Sequence, residues 1–146
     1  MKVVVDTNIV FSAILNPKSN IGQILLNKDN KIQFYSVKYL LIEINNHKLK
    51  LSKLAKIDFN LIDNYIKVFT SKITFIDENV IPEQIVIESF ELVKEIDPND
   101  SLFIALTKFK DAKIWSGDKK LINGLLSKNY NYYITTNQLL NFLYLF

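Results

Sequence analysis

Short runs of apolar and β-branched residues recur along the chain and predict five β-strands. The predicted strands are Lys2–Asp6, Ile32–Ser36, Ile73–Ile76, Lys113–Ser116 and Tyr132–Thr135. Within these runs the apolar residues are often consecutive, as in Val3, Val4 and Val5, rather than alternating with polar residues. Consecutive apolar residues are typical of strands that are buried on both faces of a sheet.

Between the predicted strands, apolar residues recur at the spacing of amphipathic helices. Four such stripes are formed by Ile62, Tyr65, Ile66 and Phe69; by Val86, Phe90 and Val93; by Leu102, Ala105, Leu106 and Phe109; and by Leu121, Ile122, Leu125 and Leu126. We also predict helices over Val37–Leu51 and Thr136–Leu145, and we expect Pro82 to open the helix that follows the third strand.

This alternation of strands and helices predicts an α/β fold with right-handed crossovers and a parallel sheet. The expected architecture is a three-layer α/β/α sandwich around a central, mainly parallel five-stranded sheet. A chain of 146 residues is long enough for one domain with a sizeable core and too short for two ordinary domains. We therefore predict a single domain over residues 1–146.

Composition narrows the class of protein. Hydrophobic residues make up 49% of the chain, which excludes a disordered protein. The absence of cysteine excludes a disulfide framework and a thiolate metal site, and it agrees with a reducing compartment. The apolar stretches are too short for a signal peptide or a membrane span. We therefore expect a cytoplasmic protein that does not contact membranes.

All 18 basic residues are lysines, and they give a net charge of +3 against 15 acidic residues. Without arginine, a phosphate group must be bound by lysine, by backbone N–H groups or by cations. If four of the acids gathered in one site, the other eleven would leave an excess of seven lysine charges over the rest of the molecule. That excess would suit a polyanionic partner, although an ordinary soluble basic protein would show the same net charge.

Four acidic residues are predicted to meet at the carboxyl edge of the sheet, where ligand sites form in open parallel sheets. Asp6 ends the first strand, and Asp118 follows the fourth. Asp100 opens the helix that leads into the fourth strand, so it lies at the same edge. Glu43 is early in the helix after the second strand, and helical side chains lean toward the N-terminus.

Each acid taken alone also has a simpler explanation. Asp6 and Asp118 could cap the helices that follow them, Asp97-Pro98-Asn99-Asp100 has the form of a helix cap, and Glu43 could be solvated. As a group, however, carboxylates repel by roughly 4 kcal/mol per pair at about 4 Å, so they must raise their pKa values or bind cations. Oxygen ligands without cysteine favour Mg²⁺ or Mn²⁺ over Zn²⁺.

The motifs that carry these acids resemble, in order, those of the PIN-domain ribonucleases. Val3-Val4-Val5-Asp6-Thr7-Asn8 is similar to the strand ending in Asp-Thr-Asn with which PIN domains open. Glu43 matches the acid in the helix after the second strand. Asp97-Pro98-Asn99-Asp100 is similar to the third acidic motif, and Ser116-Gly117-Asp118 to the Ser/Thr-Gly-Asp motif that carries the fourth acid. The resemblance covers nearly the whole chain.

The resemblance implies a metal-dependent endoribonuclease, a hydrolase that cleaves RNA. Asp6, Glu43, Asp100 and Asp118 would be its catalytic residues and would hold Mg²⁺ or Mn²⁺. It also implies the toxin component of a type II toxin–antitoxin pair, with an antitoxin protein as partner and a homodimeric assembly. The alternative is a catalytically inactive PIN-like module that binds RNA or a protein.

Further residues are assigned supporting roles, each with a simpler alternative. Asn8 and Ser116 would orient the acids, or would serve as turn and helix-start residues, and Asp97 belongs to the third motif. His47 could assist proton transfer or could be an ordinary surface histidine. The lysines expected to contact RNA, unless they form a merely solvated face, are Lys48, Lys50, Lys53 and Lys56.

Two other enzyme classes also place an aspartate at the end of the first strand. Phosphatases with an Asp nucleophile need a second Asp two residues later, where this chain has Asn8. Receiver domains need an acidic neighbour that Asp6 does not have. The aromatic C-terminal segment, which includes Leu139, Phe142 and Phe146, has no motif role, and we expect it to join the core or, failing that, an interface.

Overall fold

The structure, a computed structural model, describes residues 1–144. Five strands form one sheet in which every neighbouring pair is parallel, with the order β3-β2-β1-β4-β5. The strands are β1 (Lys2–Val5), β2 (Gln33–Val37), β3 (Ile73–Ile76), β4 (Lys113–Trp115) and β5 (Tyr133–Ile134). The predicted five-stranded sheet is confirmed, and it is parallel throughout.

Nine α-helices of the described chain flank this sheet. They are α1 (Thr7–Leu15), α2 (Asn20–Leu25), α3 (Tyr39–Asn46), α4 (Lys48–Ala55), α5 (Phe59–Thr70), α6 (Glu83–Val93), α7 (Ser101–Lys110), α8 (Lys119–Ser127) and α9 (Thr136–Tyr144). Helix α1 packs against α2, α3, α4 and α5, whereas α6 packs against α7 and α8. The predicted three-layer α/β/α fold is confirmed.

The central strand β1 shows why the apolar runs form a sheet buried on both faces. Val3, Val4 and Val5 have no exposed surface, and neither has Ile114 in the adjacent strand β4. Fully burying each such side chain stabilises the fold by about 1.5–3 kcal/mol. Ser36 in β2 is also buried, and its hydroxyl donates to the Val5 carbonyl at 2.6 Å. This bond fixes the carboxyl end of β1, where the candidate site begins.

Some helix boundaries differ from the predictions. The single helix predicted over Val37–Leu51 is wrong, because Val37 belongs to β2 and the helical stretch is divided at His47. Asn45 and Asn46 precede the break, and asparagine has a low helix propensity because its side chain competes for backbone hydrogen bonds. Helix α2 was not predicted, and α1 was anticipated only as a helix that Asp6 could cap.

The C-terminal segment contributes to the core in part. Leu139 and Leu143 are buried, and Phe142 is partly buried against the core. Leu145, which ends the predicted last helix, and Phe146, which ends the aromatic segment, lie outside the described residues.

Pro82 precedes α6 by one residue, close to its predicted place. Within residues 1–144, no helix combines the length and the apolarity that a membrane span requires.

Candidate active site

A cleft of about 280 Å³ lies at the carboxyl edge of the sheet, beside the end of β1. Four carboxylate side chains line it, and these are Asp6, Glu43, Asp97 and Asp100. The same cleft is lined by Thr7, Asn8, Phe11, His47, Lys50 and Asn99. Residues that are far apart in the sequence therefore meet where the topology of a parallel sheet predicts a ligand site.

Asp6 both caps α1 and faces the cleft. Its Oδ1 accepts a hydrogen bond from the Ile9 N–H at 3.0 Å, and its side chain is only 4% exposed. Burial is the main reason that the pKa of Asp6 is raised to about 7, against the opposing backbone hydrogen bond from Ile9. The negative charges of Asp118 and Glu43 raise this pKa further. The capping explanation is thus correct for Asp6, whose side chain also lines the cleft.

Asp100 is not used as a helix cap. The cap of the 3₁₀ turn Pro98–Asp100 is Asp97, whose Oδ1 accepts from the Asn99 N–H at 3.0 Å. The half-buried Asp100 makes no capping hydrogen bond to α7. Burial raises the pKa of Asp100 to about 7, and the charge of Asp6 is the next largest cause. Because Asp97 caps this turn, the Asp100 carboxylate makes no capping hydrogen bond and lines the cleft instead.

Glu43 is held in place by a residue to which the sequence analysis assigned no role. The Thr7 hydroxyl donates to Glu43 Oε1 at 2.7 Å, across a sequence separation of 36 residues. Thr7 is the first residue of α1 and Glu43 lies within α3, so this bond joins two helices at the mouth of the cleft. Thr7 is the middle residue of Asp6-Thr7-Asn8, so the first motif of the sequence already contained it.

Asp118 lies at the margin of the site. It caps α8 through Oδ1, which accepts from the N–H groups of Lys120 at 2.9 Å and Leu121 at 3.3 Å. The buried Ser116 hydroxyl accepts from the Asp118 N–H at 3.0 Å and so fixes this turn. Asp118 is not among the residues that line the cleft, yet its charge raises the pKa of both Asp6 and Asp100.

The donor chemistry of this cluster fits a hard divalent cation. Carboxylate oxygens are the ligands that Mg²⁺ prefers, and Mg²⁺ usually retains several waters while contacting one or two carboxylates. Among residues 1–144, no three His, Cys, Asp or Glu side chains are arranged as a ready-made metal site. The residue types thus fit such an ion, whereas their arrangement within residues 1–144 does not by itself form its site.

The predicted supporting residues are distributed unevenly around the cleft. Asn8 and Asp97 line it, as does the exposed His47. Of the four lysines expected to contact RNA, Lys50 alone lines this cleft, whereas Lys53 and Lys56 are exposed elsewhere. The fourth lysine, Lys48, is bound to Asp63 at 2.7 Å and lies over the ring of Phe59 at 5.3 Å.

Comparison with known proteins identifies the family. The sequence model of the PIN domain matches residues 4–139. None of the curated protein sequences matches the chain. One similar solved structure is VapBC2 from Rickettsia felis bound to a DNA fragment from their promoter, with a TM-score of 0.65, 18% identity, and coverage of 92% of this chain and 97% of that chain.

A second similar structure is PAE2754 from Pyrobaculum aerophilum. Its TM-score is 0.67 at 14% identity, and the match covers 98% of this chain and 89% of that one. At these identities the two structures establish a shared fold. The match of the PIN domain model over residues 4–139 shows that this chain belongs to the PIN domain family.

Proposed function

We propose that the protein is a metal-dependent endoribonuclease that hydrolyses RNA phosphodiesters at the acidic cleft. The observation that carries the proposal is the meeting of Asp6, Glu43 and Asp100 in one cleft of a PIN domain. Asp118 would complete the set from the margin of the site. Membership of the family supports nuclease chemistry, and the acids provide the groups that such chemistry needs.

The clustering of acids is unfavourable unless a cation offsets it. Two unit charges about 4 Å apart repel by roughly 4 kcal/mol at an effective dielectric constant near 20. Here burial adds a second cost, since Asp6 is almost completely buried and Asp100 is half-buried. A divalent cation would offset both costs, and this is the physical argument for a metal site. Asp100 makes no capping hydrogen bond to α7 that would otherwise explain its position.

Asp6, Asp100 and Asp118 would hold Mg²⁺ or Mn²⁺, with Glu43 contributing directly or through water. When bound, such an ion supplies Lewis-acid stabilisation of negative charge on the phosphate and increases the acidity of nearby water. The chain itself orients the donors. Backbone N–H groups fix Asp6 and Asp118, and the Thr7 hydroxyl fixes Glu43.

A direct test uses two aspartates at opposite ends of α7. Asp100 precedes this helix beside the cleft, and Asp111 follows it away from the cleft. We expect the wild-type protein and Asp111→Asn to cleave a panel of single-stranded and structured RNAs in Mn²⁺ or Mg²⁺ but not in EDTA. We expect Asp100→Asn to fold normally and to lose cleavage. Cleavage by Asp100→Asn at the wild-type rate would remove Asp100 from the proposed site.

We propose further that the nuclease acts in the cytoplasm as the toxin of a toxin–antitoxin pair. This role is supported by the order of the four acidic motifs and by the fold shared with VapBC2. Expression of the wild-type chain without an antitoxin should then arrest bacterial growth, and expression of Asp100→Asn should not. Normal growth during expression of a protein that is active in vitro would refute the toxin role alone.

The assembly is proposed to be a homodimer, as the family resemblance implies. Light scattering during size-exclusion chromatography measures this directly, and a monomeric mass across the accessible concentration range would contradict it.

The second candidate function is a PIN-like module that binds RNA or a protein without cutting. It is favoured by one observation, namely that no three potential ligands within residues 1–144 form a ready-made metal site. RNA binding without cleavage in either metal, together with no binding of the metals themselves, would support this candidate over the nuclease.

A further inference from the structure

The four lysines of the α4 region have different surroundings, although they look equivalent in the sequence. The Lys48 ammonium group is 2.7 Å from Asp63 and packs over Phe59, so its charge is already matched. Lys53 and Lys56 are exposed and do not line the cleft. Lys50 lines the cleft together with Asp6, Glu43 and Asp100.

Lys50 has no ionic partner despite this position. Within residues 1–144 its ammonium group forms no ion pair, and no hydrogen bond or aromatic contact of this side chain is found there. The side chain is exposed, so it can move without disturbing the core. Its positive charge is therefore available to a bound molecule.

An RNA strand that enters an acidic cleft needs a cation outside the carboxylate cluster. Its phosphates are repelled by acids that are not covered by a bound ion, and the chain contains no arginine to offset this repulsion. Lysine is therefore the permanently charged side chain that can bind a phosphate here, and Lys50 is the lysine that lines the cleft.

We infer that Lys50 binds the backbone phosphate next to the scissile one and so positions the RNA strand over the acids. This inference rests on the proposed nuclease function and assigns to Lys50 a binding and positioning role, with no part in the chemical step. The contact is to the backbone, so it holds for any sequence at the cleavage site.

The test compares Lys50→Ala with Lys28→Ala, the same change at an exposed lysine that precedes β2 and lies outside the cleft, and with Lys50→Arg, which keeps the charge. Initial rates of Mn²⁺-dependent cleavage of a short single-stranded RNA give kcat and KM for each variant. We expect Lys50→Ala to raise KM roughly fivefold with kcat nearly unchanged. Lys28→Ala should match the wild type, and Lys50→Arg should recover most of the loss.

A second measurement tests the contact without turnover. The affinity of each protein for the same RNA, fluorescently labelled and in EDTA, is measured across a series of KCl concentrations. The slope of log affinity against log salt should become shallower by about one for Lys50→Ala and should not change for Lys28→Ala.

The outcomes separate this inference from the nuclease proposal. Absence of cleavage by the wild-type protein overturns both. Cleavage by the wild type with equal KM values and equal salt slopes for Lys50→Ala and Lys28→Ala overturns the role of Lys50 alone. A lower kcat with unchanged KM in Lys50→Ala also overturns it, because the loss would then lie in the chemical step.

Discussion

Several side chains at or beside the cleft have structural tasks in addition to the chemical ones that we propose. Asp6 and Asp118 cap helices through one carboxylate oxygen, and the backbone N–H groups that they accept from also fix where their negative charge lies. Asp97 caps the turn before α7 and so relieves Asp100 of that task. A capping role therefore does not argue against a chemical role at the end of a strand.

The hydrogen bond between Thr7 and Glu43 provides a prediction at the residue scale. Thr7→Val keeps the shape of the side chain but removes the hydroxyl that donates to Glu43 Oε1 at 2.7 Å. A hydrogen bond to a charged group contributes about 1.5–3 kcal/mol, so we expect the cleavage rate to fall roughly tenfold or more. Measured single-turnover rates of RNA cleavage would show the fall.

Thr7→Ser is the matched control for this prediction, because it keeps the hydroxyl and should keep most of the activity. Equal rates for Thr7→Val and the wild-type protein would mean that the orientation of Glu43 does not limit cleavage.

The sequence placed Asp6, Glu43 and Asp100 together because motif order and parallel topology are both visible in it, whereas the fourth acid, Asp118, is outside the set that lines the cleft. The sequence did not show that Lys48 and Lys50 have different surroundings. The partner of Lys48 is Asp63 on another helix, and this pairing depends on how α4 packs against α5. The role of Thr7 was missed for the same reason. A hydroxyl next to an aspartate becomes informative only when the position of Glu43 is known.

At the scale of elements, the helical stretch that was predicted as one helix is divided at His47 into α3 and α4. His47 at this break and Lys50 in α4 both line the cleft. The strands were predicted well because short runs of consecutive apolar residues, such as Val3, Val4 and Val5, are stable only where both faces of the strand are buried. The ends of helices were not, since three glycines and three prolines give few stop signals.

Two glycines give a prediction at the element scale. A Cβ atom on Gly22, in α2, would meet the backbone carbonyl of Pro17 well inside van der Waals contact, whereas nothing lies within 4 Å of the corresponding position on Gly117. Gly22→Ala should therefore lower the free energy of unfolding by about 1–3 kcal/mol, despite the better helix propensity of alanine. Gly117→Ala should be close to neutral.

Thermal denaturation of both variants measures this difference. A Gly22→Ala protein as stable as the wild type would show that the approach of α2 to Pro17 can relax without cost.

At the scale of the whole molecule, acids gather at one cleft on the carboxyl edge of the sheet, whereas lysines lie at both edges. Lys2 and Lys113 begin β1 and β4, and Lys119 begins α8 beside Asp118. Lys110 ends α7, where a cation interacts favourably with the helix dipole. The prediction of a single domain over residues 1–146 remains a prediction at this scale.

The buried acids make the stability of the metal-free protein depend on pH. The pKa values of Asp6 and Asp100 are raised from 3.8 to about 7, so the native state retains protons that the unfolded state releases. Their contribution to stability is fully present below about pH 4 and is lost as pH rises through about 7. Calorimetry in EDTA should therefore give a lower Tm near pH 8 than near pH 5.

Asp100→Asn is the control for this pH dependence, because it removes one of the two groups and should flatten the change in Tm. A wild-type Tm that did not fall between pH 5 and pH 8 would contradict the raised pKa values of the two acids.

The most direct test of the account is calorimetric titration of the metal-free protein with Mn²⁺ near pH 8, where the acids are ionised. Wild-type protein and Asp111→Asn should bind the ion, and Asp100→Asn should bind it much more weakly. Equal Mn²⁺ binding by all three proteins, or no binding by any of them, would contradict the claim that the acids of this cleft act together as a metal site.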